Sequence, residues 1–140
     1  MKRSVRFLVI VASLLLITAL TVTSVLAARD PFKGFWESID TVDGSYQTLH
    51  IGGGPGNTYN VRYYDYGATI CGLDPDTGDI LYAASARGRL TGSGNDLTGT
   101  MSAYCRTRPP EYLFDIIAHY IYDPSTDTFT DDWGVVWNRK

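Results

Sequence analysis

His50 and His119 are the two histidines of the 140 residues, and imidazole is the side chain whose ordinary pKa best suits proton transfer near neutrality. They fall on distant stretches of chain. Asp115 and His119 share the parity of one strand face, but four residues of extended chain separate them by about 13 Å, beyond direct hydrogen bonding. Two catalytic arrangements remain open: His119 with an acid from a neighbouring strand, and a carboxylate pair of Glu37 and Glu111 acting on a glycan. Neither has a motif behind it. The chain contains no Gly-x-Ser-x-Gly elbow and no His-Glu-x-x-His pair, and Gly52 to Gly56 lacks the Lys-Ser or Lys-Thr and the helix of a phosphate-cradling loop. Asp74, Asp76 and Asp79 around Gly78 have the look of a calcium loop, yet the terminal bidentate glutamate is missing and a tight turn accounts for every residue. No residue is assigned to catalysis, to a metal or to a cofactor.

Binding chemistry has more to work with. Ten tyrosines and three tryptophans are a high aromatic load, and Trp36, Tyr59, Tyr63, Tyr82 and Trp133 are the candidates to line a ligand cup, because rings supply contact area with a polar handle. The plainer reading is that strands favour aromatics and these simply cover sheet faces. Arg106 and Arg108, ahead of Pro109-Pro110, are placed at a rim where they would meet an anionic group, or else on a solvated loop. Cys71 and Cys105 are the two cysteines. In an oxidising compartment they form a disulfide by default, since a zinc site would need close Cys or His neighbours that are absent.

The elements that must position these residues read as all-β. Short runs rich in Tyr, Val, Ile, Thr and Trp alternate with turn clusters about every ten residues. Strands are expected at Phe35 to Asp40, Ser45 to Ile51, Thr58 to Tyr64, Ala68 to Cys71, Ile80 to Leu90, Leu97 to Tyr104, Glu111 to Tyr122 and Phe129 to Trp137, the last bulged at Asp131-Asp132. Glu111 to Tyr122 also fits a helical stripe, but its β-branched and aromatic content favours a strand. Leu73 to Ile80 and Tyr122 to Phe129 share an Asp-Pro-x-Thr turn in which Gly78 or Asp127 takes a left-handed conformation. Small residues on the Leu97, Gly99, Met101 and Ala103 face suggest a strand curving past its neighbours. Eight sequential strands make an antiparallel up-and-down meander, and closing it into a barrel removes exposed edges; a β-sandwich is the alternative. Flat strands would leave the two cysteines about 9.6 Å apart, so the bond needs strong curl or residues already leaving the sheet.

Gly34-Phe35-Trp36, on the first strand of such a meander, resembles the Gly-x-Trp signature that opens lipocalin-like and avidin-like barrels, and Leu97-Thr98-Gly99-Thr100 resembles the Leu-Thr-Gly-Thr strand of avidin-type proteins. The resemblance implies that Trp36 plugs one end of the barrel and that the interior holds a small, often apolar ligand. Lipocalins usually carry an arginine near the last strand that packs on this tryptophan, and Arg139 is the matching position here. It shares parity with Trp133, Val135 and Trp137. The chain is short for a typical lipocalin, and no biotin-site constellation carries over.

Residues 1–27 read as an export signal: Lys2, Arg3 and Arg6, an apolar run from Phe7 to Leu20, then Val25-Leu26-Ala27 before cleavage. An uncleaved membrane anchor is the alternative, against which Ser13, Thr18, Thr21, Thr23 and Ser24 dilute the span. Residues 28–140 are then a single domain. Of the 12 Lys and Arg, those three lie in the signal, leaving nine against 15 Asp and Glu, a balance that disfavours nucleic acid or anionic membrane as partner. The leading expectation is a secreted, extracellular or periplasmic, non-catalytic binding module for a small apolar or aromatic ligand or a surface partner. The alternatives are a small secreted hydrolase or isomerase on the same scaffold, and a packed structural barrel. Cavity volume separates the first reading from the last.

Overall fold

The structure is a computed structural model that describes residues 30–140; the expected export signal lies outside the described residues. Eight strands follow one another: β1 (Gly34–Ile39), β2 (Tyr46–Gly53), β3 (Thr58–Asp65), β4 (Ala84–Ser93), β5 (Asp96–Cys105), β6 (Glu111–Asp123), β7 (Thr128–Asp131) and β8 (Val136–Arg139). Each pairs antiparallel with the next, and β8 returns to β1 through Trp36 opposite Arg139 and Glu37 opposite Asn138, closing the barrel. Alternation fixes which side chains face inward. Leu49 and Ile51 on β2, Val61 on β3, Leu90 on β4 and Leu97 on β5 are all within 1 % of complete burial. Gly99 lies opposite Leu90, and a Cβ there would stand 2.5 Å from the Arg89 carbonyl oxygen, so β4 and β5 approach as closely as they do because the side chain is missing.

The expected strand count holds, but two expected strands do not. Ala68 to Cys71 is a single turn of 3-10 helix (Thr69–Cys71) closed by Cys71 N–H donating to the Ala68 carbonyl, and Gly72, at φ 108°, turns the chain away. Accordingly β4 begins only at Ala84 rather than at Ile80, after a small hairpin around Asp74 to Asp79. The final stretch, expected as one bulged strand, divides into β7 and β8. Asp131 is the cause: its Oδ1 accepts the backbone N–H groups of Trp133 and Val135, and Gly134 supplies φ 78°, which folds the chain back on itself. A bulge between Ala103 and Tyr104 turns Leu113 of β6 toward the interior and leaves Tyr112 and Phe114 exposed. The Asp-Pro-x-Thr turns behave as expected, with Gly78 at φ 75° and Asp127 at φ 54°.

One end of the barrel is sealed. Phe32 lies across it, stacked on Phe129 at 6.0 Å between centroids and edge-on to Tyr59 at 5.2 Å, and Trp36 donates its indole N–H to the Phe32 carbonyl. Arg139 locks this plug. Its guanidinium lies 4.0 Å from the Trp36 ring centroid, donates to both carboxylate oxygens of Asp127, and donates to the carbonyls of Pro31 and Lys33. Gly34, at φ 142°, makes room: a Cβ there would stand 2.9 Å from Arg139 Nη1.

The other end is held by the Cys71–Cys105 disulfide, with 5.4 Å between Cα atoms. Cys105 ends β5 and Cys71 has already left the sheet, which resolves the spacing problem posed by flat strands. With Ala68, Ala84 and Leu113 the bond forms a small second core that ties residues 66–83 to the barrel.

Arg139→Lys, which keeps the charge but not the fork, is expected to lower stability by about 2 kcal/mol in urea denaturation, the scale of lost charge-assisted hydrogen bonds tempered by the partial exposure of Asp127. Replacing both cysteines by alanine is expected to remove about 3 kcal/mol in the same assay, from the 34-residue separation that the bond spans.

Candidate functional site

The turns β1–β2, β3–β4, β5–β6 and β7–β8 surround the end opposite the plug. Behind them lies a cavity of about 310 Å³ whose apolar wall includes Met101, Ile116, Ala118 and Trp137, with Tyr63 and Tyr120 adding hydroxyls. A second hollow of about 300 Å³ shares Asp40, Val42, Tyr63 and Ile116 with it and extends toward Ala68, Thr69 and Ile70 of the disulfide-held loop. Val42 and Trp133 stand at the mouth, 92 % and 70 % exposed.

Carboxylates organise the mouth. Asp40 accepts from the backbone N–H of Val42 at 2.6 Å and from the Nε2 of buried Gln47 at 2.7 Å. Asp131, besides forming its turn, accepts the indole N–H of Trp137 at 3.1 Å. Asp65 accepts from Gly67 N–H and, at 3.4 Å, from the Tyr63 hydroxyl. Burial, with Asp65 close by, pushes the Tyr63 hydroxyl far above its ordinary pKa, and burial with Asp131 nearby does the same to Tyr120, so both present O–H groups across the physiological range. Apolar walls, phenolic hydroxyls and acids at the opening suit a neutral or cationic small molecule and oppose an anionic one.

The five aromatic candidates separate into three places. Tyr63 lines the cavity and Trp133 stands at its mouth. Trp36 and Tyr59 belong to the sealed end, where they pack with Phe32. Tyr82 lies outside the barrel, 44 % exposed, in a groove that also contains Arg106 and Arg108. Those arginines therefore flank an outer groove rather than the lumen. Asp40, Asp65 and Asp131 carried no signal as site residues, because each reads in sequence as an ordinary strand-end or turn acid.

The arrangements weighed for catalysis also have definite places. Glu37 sits on the outer face of β1, accepting from the Tyr46 hydroxyl at 2.9 Å, and Glu111 begins β6, a strand that does not adjoin β1. Asp74 accepts the N–H groups of Asp76 and Thr77, which hold its carboxyl below the usual range. His119 does meet acids from neighbouring segments: Nδ1 lies 2.8 Å from Asp132 and Nε2 3.0 Å from Asp96, on the outside of the barrel. Only the imidazolium donates from both nitrogens, and these two bonds, Asp96 first, raise the His119 pKa.

What these positions define is an all-antiparallel, closed, eight-stranded barrel, sealed at one end and hollow toward the other. Comparison with protein-family models, curated proteins and solved structures gives no match.

Because His119 titrates higher in the folded chain than its ordinary 6.5, the stability it contributes is fully present below that value and is lost as pH rises through the raised folded value. Chemical denaturation followed between pH 5 and 9 is expected to show this decline in the native chain, and His119→Gln is expected to flatten it.

Proposed function

We propose that this chain is an exported, non-catalytic carrier of lipocalin-like or avidin-like type that takes a small apolar or aromatic ligand, neutral or cationic, into the barrel from the acid-rimmed end. The observation that carries this reading is the hollow of about 310 Å³ opposite a plugged end, a volume within the range of small-molecule sites. Its walls favour a ligand over a barrel filled by its own side chains. The Gly34, Trp36 and Arg139 contact at the plug supports the calycin-type reading, since it places a glycine-preceded tryptophan under a terminal-strand arginine. Export is supported by the disulfide, which suits an oxidising compartment, together with the leader-like first 27 residues.

The lumen is tested with a neutral naphthylamine fluorophore titrated into the protein purified from an oxidising host, alongside native mass spectrometry for a co-purified molecule. Micromolar binding is expected, with a carboxylate analogue of the same fluorophore binding at least about fivefold more weakly, a difference of about 1 kcal/mol. Ala118 is 2 % exposed on the lumen wall, so Ala118→Phe is expected to occupy the hollow and weaken the neutral probe at least about tenfold while the disulfide and the barrel spectrum persist. Equal binding to native chain and variant would remove the lumen as the site.

A further inference from the structure

A third hollow lies on the outer surface, formed by β3, β4 and β5 with the segments that flank β4 and β5 at the disulfide end. It has a volume of about 830 Å³ and is walled by Arg62, Arg87, Arg106 and Arg108 with Tyr64, Tyr82 and Tyr104, and among the described residues no acid lines it. Among the described residues, none of the four arginines takes part in an ion pair. Asp115 of β6, opposite Ser102 in the register, is engaged by the Ser102 hydroxyl at 2.7 Å. In a chain whose acids outnumber its bases, this is a local concentration of positive charge without internal compensation.

The register makes the arrangement more pointed. Arg62 and Arg87 are direct cross-strand partners, both exposed on the outer face, a pairing of like charges that weakens a sheet unless something else neutralises it. Two of the guanidiniums also pack on rings. Arg87 lies over Tyr104 at 5.2 Å and Arg106 over Tyr64 at 5.5 Å, contacts that restrain the side chains while a guanidinium's five N–H donors remain available to oxyanions. The loops that carry Arg106 and Tyr82 are fixed together, because Arg106 N–H donates to the Ala83 carbonyl at 2.9 Å and the disulfide anchors the residues on either side.

We propose that this groove binds an acidic oligosaccharide, with sulfate or uronate groups spaced along the sugar chain meeting Arg62, Arg87, Arg106 and Arg108. Cations spread from β3 to beyond β5, about 10 Å across, are too dispersed for one oxyanion and match several on a linear frame. Two of the three tyrosine faces already carry a guanidinium, which leaves Tyr82 as the free ring and gives stacked nucleic-acid bases little platform. The site is separate from the barrel lumen and stands whether or not the lumen takes a ligand.

The probe is a heparin-derived hexasaccharide, titrated calorimetrically into the purified protein at low and at physiological salt. Binding in the micromolar range is expected, weakening as salt rises. Arg62→Ser with Arg87→Ser, both on exposed strand positions, is expected to weaken it at least about tenfold, while Arg89→Ser, on the same outer face but outside the groove, stays within about twofold. Near-UV circular dichroism checks that each variant is folded, and Arg108→Ser in the β5–β6 loop gives a second variant that leaves the sheet untouched and is expected to weaken binding at least about threefold. Absence of binding by the native chain, or equal binding by native chain and both arginine variants, overturns the proposal. So does oligothymidylate of equal charge binding as tightly, which would assign the groove to nucleic acid, or inorganic sulfate at matched concentration displacing the saccharide, which would reduce it to a single-anion site.

Discussion

The rest of the barrel depends on the Arg139 guanidinium, which ties the last strand to the first strand, to the β6–β7 turn through Asp127 and to the segment before β1 through Pro31 and Lys33. A closed sheet needs its first and last strands to meet, and here only two residue pairs of β1 and β8 are in register. A guanidinium with five donors, pressed on the Trp36 ring, supplements that short ladder with connections in several directions. Gly34 is the local concession that permits it, because the space a side chain would take is the space Arg139 uses.

Sealing one end assigns the possible chemistry to the other. Phe32, Trp36, Tyr59, Tyr122 and Phe129 fill the plug, whereas the wall toward the mouth mixes large rings such as Tyr63, Tyr120 and Trp137 with small residues such as Ala118 and leaves a hollow among them. The opening is built by turns that need carboxylates to close them, so the same aspartates that cap Val42, Gly67 and Trp133 also make the mouth acidic. Structural acids at the mouth and arginines along the outer groove thereby give the protein two surfaces of opposite charge.

Much of the fold was legible because strand alternation is local. The inward sets Leu49 with Ile51, Tyr59 with Val61 and Leu97 with Met101 are read directly from polar and apolar parity, and the two Asp-Pro-x-Thr turns from residues that tolerate their dihedrals. The errors fell where a nonlocal or side-chain-to-backbone interaction overrides that parity. Ala68 to Cys71 has β-compatible residues but closes a 3-10 turn, and Asp131 converts one apparent strand into two by accepting neighbouring N–H groups. The bulge beside Tyr104 likewise shifts the inward set of β6 at its start, so that Phe114, inward by simple alternation, is exposed and Leu113 is not.

The sequence by itself determined the strand class and made a disulfide the default for its two cysteines, since composition and cysteine number are properties of the chain; the plug role of Trp36 came from a resemblance, and the residues alone served equally well to place it in a ligand cup. Which aromatics share a cavity was decided only by the closed sheet. Tyr59 and Tyr63 lie on one face of β3 four residues apart, yet one packs into the plug and the other borders the hollow, because height along a barrel depends on the stagger of all eight strands. The same holds for charge: Arg62 and Arg87 are 25 positions apart in the chain and directly opposite in the sheet. A pattern of period two gives the face of a residue; only register gives its neighbours.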